Sequence, residues 1–129
     1  MTIEEKAEKA VFLKTHGYNC AQAVALALKD DTGLSEEELS SITSGFGAGM
    51  GTMEATCGAL VGATIVEGLN KKEKGTMLYA RLTLLDFKVR SGAVTCKDLK
   101  GVETGKTLCS CEDCVRNAVL SYGNIMGQP

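Results

Sequence analysis

The chain has 129 residues, enough for one domain spanning 1–129 with a sizeable core, and its 44% hydrophobic content marks a folded rather than a disordered protein. A net charge of −2, with both signs mixed along the chain, offers no basic surface for nucleic acid and no polybasic membrane anchor. Met1-Thr2-Ile3-Glu4-Glu5-Lys6 is acidic and amphipathic and does not read as a signal peptide, and the longest apolar run, Cys57 to Val66, is about half of what a bilayer span needs. The expected compartment is therefore the reducing cytoplasm, without membrane insertion. There, six cysteines point to redox chemistry or metal binding rather than to a permanent disulfide frame.

Residues 3–15 place Ile3, Ala7, Ala10, Val11 and Lys14 at helical spacing, and Gly17 ends the segment. Asn19 is a good N-cap for a second helix from Cys20 to about Asp30, with Ala21, Val24, Ala25 and Leu28 as its stripe. Its alanines predict close contact with a neighbouring helix. Ser35-Glu36-Glu37-Glu38 is a capping box that opens a short helix over 36–43.

A glycine-rich stretch follows, with Gly45, Gly47, Gly49 and Gly51 at every second position, leading into a central helix over about 53–68. No strand precedes these glycines and their spacing matches neither Walker A nor the dinucleotide fingerprint, so a phosphate cradle is not expected. Glycine tolerates positive φ and leaves room for another backbone or a sulfur to approach. Gly58 and Gly62, four apart on one face, carry the same implication for a neighbouring helix, because interior helix glycine costs about 1 kcal/mol relative to alanine. Glu67 is expected at the surface, paired with Lys71, and Met50 and Met53 as core filling beside the helix start.

A fifth helix is predicted over about 72–90, with Met77, Leu78, Leu82, Leu85 and Val89 on its core side and Arg81 and Lys88 facing out. Residues 93–110 read as loop, with one turn around Lys97 to Leu99. The last helix runs from about Cys111 to Tyr122, capped by Ser110 with Asp113 three residues on. Strand signals are almost absent. The fold class is all-α: a compact bundle of five or six helices with a glycine-rich loop before the central one.

The cysteines cluster at these helix starts. Cys20 follows Asn19, Cys57 lies one turn into the central helix, Cys96 follows Thr95, and Cys111 follows Ser110 with Cys114 one turn later. Backbone N–H groups at a helix N-terminus stabilise a thiolate, which is the species that attacks disulfides and binds metals. Cys111-x-x-Cys114 has redox-motif spacing but lacks the βαβ context of a thioredoxin-like site. Val115 in place of histidine excludes c-type haem attachment. Cys109, Cys111 and Cys114 also have the spacing to supply three ligands to zinc or an iron–sulfur cluster, with Cys57 or Cys96 as the fourth. His16, four residues before Cys20, is a candidate base or ligand for that thiol, or simply a solvated helix-end histidine.

Cys57-Gly58-Ala59-Leu60-Val61-Gly62, the glycine stretch before it and the block Asn19-Cys20-Ala21-Gln22-Ala23-Val24 together resemble a family of redox-active proteins named for a C…CGAxxG…C…C pattern. The resemblance covers about residues 5–120. It implies four marker cysteines, matching Cys20, Cys57, Cys96 and Cys114, or Cys109 in the last place, with Cys109 and Cys111 otherwise as additions in this chain. It also implies a redox role, itself inferred from the cysteines, and a transporter-associated setting.

The leading expectation is a small thiol–disulfide oxidoreductase that needs no cofactor. Cys57 and Cys20 would form its central pair, with Cys96 and Cys114 as a second pair or as resolving thiols. One alternative is a metal or iron–sulfur protein using Cys20, Cys57, Cys96 and Cys114, or Cys109 or Cys111 among them. Another is a non-catalytic adaptor to a transporter, docking through the glycine-faced helix. A redox partner and a homo-oligomer are compatible with all three.

Overall fold

Side-chain caps set the starts of the first helices. The computed structural model describes residues 1–129. Thr2 with Glu5, Asn19 with Gln22 and Ser35 with Glu38 form reciprocal capping boxes that open α1 (Ile3–Thr15), α2 (Cys20–Ala27) and α3 (Glu36–Thr43). Four further helices follow: α4 (Gly58–Lys71), α5 (Thr76–Ser91), the one-turn α6 (Cys96–Lys100) and α7 (Cys111–Met126). Ser110 accepts the Asp113 amide to cap α7. The fold is all-α, and no helix is long and apolar enough to cross a membrane.

The middle of the molecule is α2, buried from Ala23 through Leu28 and packed against α1, α3, α4 and α7. A Cβ built on Gly62 would lie 2.6 Å from the Ala21 carbonyl oxygen, so α2 and α4 meet backbone to backbone. Gly58 meets the Phe46 carbonyl and the Cys20 sulfur in the same way, at 2.4 and 2.6 Å. The glycine face of α4 is thus used inside the fold and is not a free docking surface. Leu28, Leu39, Leu60, Leu99, Phe87 and Tyr122 are fully buried around it, each such leucine contributing about 1.5–3 kcal/mol of burial. The chain ends are tied together: the Ile3 amide donates to the Pro129 carbonyl at 2.8 Å, and Ile3 packs on Gly123.

Several helix boundaries, one helix face and two side chains differ from expectation, and α2 ends at Ala27 rather than about Asp30. The central helix begins at Gly58 instead of 53, because Ala48, Met50, Gly51 and Met53 all have positive φ and no helix propagates through them. Residues Gly49–Met53 form an irregular wide turn instead, with Met50 exposed rather than in the core. α5 begins at Thr76, after a turn in which Lys72, Glu73 and Gly75 are left-handed. Its buried residues are Thr83, Phe87 and Ser91, not Met77, Leu78, Leu82, Leu85 and Val89, which are exposed. Glu67 is fully buried on α4 and accepts a 2.5 Å hydrogen bond from Thr83 Oγ1 of α5, so it makes no surface pair with Lys71.

A single antiparallel bridge, Thr56 to Thr95, stands in for a sheet. The Cys57 amide donates to the Val94 carbonyl at 2.8 Å, and the Cys96 amide donates to the Ala55 carbonyl at 3.0 Å. These two bonds clamp the segment before α4 against the segment before α6, and with them two of the cysteines.

Candidate functional site

Four helix starts converge on one place. Cys20, Cys96 and Cys111 are the first residues of α2, α6 and α7, and Cys57 is the N-cap of α4. With Cys114, one turn into α7, they line a single cavity of about 520 Å³. Lys14 and Lys100 also line it. Cys57, Cys96 and Cys114 are buried, Cys20 is half-buried and Cys111 is exposed, and all six cysteines are free thiols. The wide turn lends space here: a Cβ on Gly49 would come within 2.8 Å of Cys96 Cβ, and Gly49 has φ of +59°.

The sequence placed Cys57 one turn inside its helix; the structure places it at the cap. An N-cap side chain faces the orphan amides of the first turn. The Ala59 and Leu60 amides act on the Cys57 sulfur, although neither closes a full cap hydrogen bond. The largest influence is Cys114, whose S–H donates to the Cys57 sulfur, and Lys100 adds a nearby positive charge. Against the opposing effect of burial, these bring the Cys57 pKa down to about 6 from a usual 9.0.

Cys114 moves the other way. Its hydrogen bond to Cys57, its burial and the neighbouring thiolate charge all hold its proton on. Its amide is already spent on the Ser110 carbonyl at 2.8 Å, so α7 offers that sulfur no free donor. Its Sγ donates to the Cys109 carbonyl at 3.7 Å and accepts from the Lys100 ammonium at 3.4 Å. Of the two neighbouring sulfurs, Cys57 is the one that ionises and Cys114 the one that keeps its proton.

Lys100 is half-buried. Burial pulls its pKa down, but the facing Cys114, Cys111 and Cys57 outweigh this, so it stays an ammonium. Its Nζ also donates to the Cys109 carbonyl at 3.1 Å, which fixes it beside the thiols. Burial holds the Cys20 and Cys96 protons on, and the Cys57 charge reinforces this in both. Cys57 is thus the activated sulfur of the cavity, with Cys20, Cys96 and Cys114 holding their protons around it.

Cys20, Cys57, Cys96 and Cys114 are all brought together. Cys111 joins them, although the sequence presented it as an addition. Cys109 does not line the cavity; its sulfur is buried against Asn117 Nδ2 at 3.8 Å. His16 stacks on Phe12, with 3.9 Å between ring centroids, and its Nδ1 lies 2.7 Å from the Phe12 carbonyl, away from the cavity. No three histidine, cysteine or carboxylate side chains are grouped closely enough to hold a metal ion. Lys100 and Lys14 are the site residues that sequence reasoning missed. The signal for Lys100 was its place four residues after Cys96, on the same face of a helical turn.

The helix starts of this all-α protein thus gather five cysteines and two lysines around one cavity, a cysteine-centred site. The family model described as "Putative redox-active protein (C_GCAxxG_C_C)" matches residues 18–125, a span that holds all six cysteines, and the chain belongs to that family. No curated protein and no solved structure matches it.

Proposed function

We propose that the protein is a thiol–disulfide oxidoreductase whose nucleophile is Cys57. The observation that carries this reading is the placement of Cys57 at the cap of α4, in contact with Cys114 and beside Lys100, in a cavity lined by three more thiols.

The Cys57 thiolate attacks one sulfur of a small-molecule or protein disulfide. A sulfur–sulfur bond forms between Cys57 and the substrate, and the substrate's own disulfide bond breaks. The leaving thiolate takes the Cys114 proton. The Cys114 sulfur, now a thiolate facing Lys100, attacks Cys57 and closes a Cys57–Cys114 disulfide, and the second substrate sulfur departs as a thiolate that is protonated from water. Two electrons pass from the protein to the substrate. In this scheme Cys114, rather than Cys20, is the immediate partner of Cys57, because it is the sulfur that bonds to it. Cys111, exposed at the cavity mouth, is the thiol a bulky partner meets first, and Cys20 and Cys96 provide the second pair.

Anaerobically reduced protein treated with a stoichiometric disulfide should lose free thiols in pairs without covalent dimers, and peptide mapping should find Cys57 bonded to Cys114. Six free thiols after treatment would contradict the proposal, as would about one tightly bound metal per chain in the purified protein.

A further inference from the structure

The walls of the sulfur cavity carry two lysines and no aspartate, glutamate or histidine. Only the Cys57 thiolate stands against those two positive charges. The two ammonium groups are not equivalent. Lys100 is committed inside the site, to the Cys109 carbonyl at 3.1 Å and to the Cys114 sulfur at 3.4 Å. Lys14, half-buried near the end of α1, has no carboxylate partner, since the ion pairs of the protein are made by Arg90, Lys97 and Arg116. Nor does it donate a hydrogen bond; among the lysine side chains only Lys6 and Lys100 do.

The remaining polar side chain of the lining is occupied as well. Asn19 accepts the Gln22 amide at 2.9 Å and donates to the Ser44 carbonyl at 3.0 Å. Apart from sulfur, the rest is apolar or glycine. A ligand that enters therefore meets one uncommitted charge, the Lys14 ammonium, in an otherwise apolar pocket. A compact ammonium on a flexible stem matches a single negative charge such as a carboxylate. The volume of about 520 Å³ is that of a small-molecule site. Cys57 is only 4% exposed, so a disulfide fixed in the surface of a folded protein does not reach its sulfur, whereas a small disulfide inside the cavity does.

We infer that the substrate of this cavity is a small disulfide whose two halves carry carboxylates, one of them held by Lys14. The inference rests on the thiol–disulfide reading proposed above and adds to it the class of substrate and the residue that selects it. The Cys57 thiolate bonds to one half, and the other half leaves as a thiolate and takes the Cys114 proton. Closure of the Cys57–Cys114 disulfide then releases the first half as a thiolate. Two electrons pass to the substrate, and two carboxylate-bearing thiols leave. Lys14 binds the substrate away from the reacting sulfurs, so it acts on the concentration at which the reaction saturates, and salt screens it.

Single-turnover oxidation of the reduced full-length protein at neutral pH tests this with three disulfides of similar size: 3,3′-dithiodipropionate, its neutral diamide and the cationic cystamine. Each rate is divided by the rate of the same disulfide with 2-mercaptoethanol, which removes intrinsic reactivity. At low salt the diacid should react about tenfold faster than the diamide, and cystamine slower than either. The advantage should lie in the half-saturating concentration and shrink in 0.5 M sodium chloride, a concentration at which the Debye length falls to about 4 Å. Lys14→Met should bring the diacid down to the diamide, and Lys14→Arg should restore the preference. Equal normalised rates for all three, with Cys57 and Cys114 still becoming bonded, would overturn the substrate class and leave the redox reading standing. A diacid preference that survives in Lys14→Met would overturn the assignment of Lys14. Retention of all six free thiols with every disulfide would overturn the redox reading and this inference with it.

Discussion

Helices α4 and α5 are neighbours of similar length, fourteen and sixteen residues, and they bury opposite kinds of residue. α4 turns Gly58, Ala59, Gly62 and Ala63 inward and lets α2 come to backbone contact, which sets the Cys20 sulfur against Gly58. α5 turns Thr83 and Ser91 inward with a single Phe87 and leaves its leucines in solvent. Thr83 bonds to Glu67 of α4, and Ser91 accepts from Asn117 of α7 at 3.0 Å. Burial in this fold follows how closely two backbones must approach and which polar groups need partners. Counting apolar residues on a helix face does not reveal it.

The sharpest way to break the comparison is to enlarge the small face. Gly62→Leu should cost more than about 3 kcal/mol, because even its Cβ has no room beside the Ala21 carbonyl. On α5, Leu82→Glu should change stability by no more than about 0.5 kcal/mol. Urea unfolding of the two variants side by side measures the difference, and comparable losses would undo it.

Within the cavity that the small face creates, Cys57→Ser should lower disulfide exchange by about a hundredfold or more, since the nucleophile is gone. Single-turnover kinetics with an excess of a chromogenic disulfide read this directly. Lys100→Met should leave the nucleophile but raise the pH midpoint of its reaction by about one unit, because a cation that favours the thiolate is removed. The wild-type rate should rise through pH about 6 and then level off; the variant should still be climbing at neutral pH.

The smallest of the larger effects concerns the contact between the two helices. Glu67 is fully buried, and its second carboxylate oxygen has no partner. Burial raises its pKa above the ordinary 4.5, although the Thr83 hydrogen bond partly offsets this. A raised carboxyl pKa means the folded state holds its proton to higher pH than the unfolded chain does. The stability contributed is full below the unfolded pKa and is lost as pH rises through the folded one. Glu67→Gln keeps an acceptor for Thr83 and removes the charge. It should therefore stabilise the protein by about 1 kcal/mol at neutral pH and flatten the loss of stability above pH 4.5. Urea midpoints at acidic and neutral pH measure both.

Helix starts were legible because they are written in local chemistry. Asn19, Ser35 and Ser110 each accept the amide three residues on, as their positions foretell. The family was legible because Cys57-Gly58-Ala59-Leu60-Val61-Gly62 and its flanking blocks are contiguous patterns. The inward face of α5 was not, because Thr83 and Ser91 are buried for partners contributed by α4 and α7, which no local window contains. Nor was the start of α4: Ala48, Met50 and Met53 occupy left-handed backbone that their side chains disfavour, which no propensity argument predicts. Lys100 carried only the weak signal of its spacing from Cys96, for a similar reason. One lysine in a loop-like stretch reads as solvated until the Thr56–Thr95 bridge carries α6 to the cavity.

The most direct test is pH-resolved alkylation of the anaerobically reduced protein, with each cysteine quantified by mass spectrometry. Cys57 should react with a midpoint near pH 6, ahead of Cys20, Cys96 and Cys114, and should lose that reactivity once a stoichiometric disulfide is added. A Cys57 that stays unreactive until the ordinary thiol range, or one that remains free after the disulfide is added, would contradict the assignment of Cys57 as the activated sulfur of this cavity.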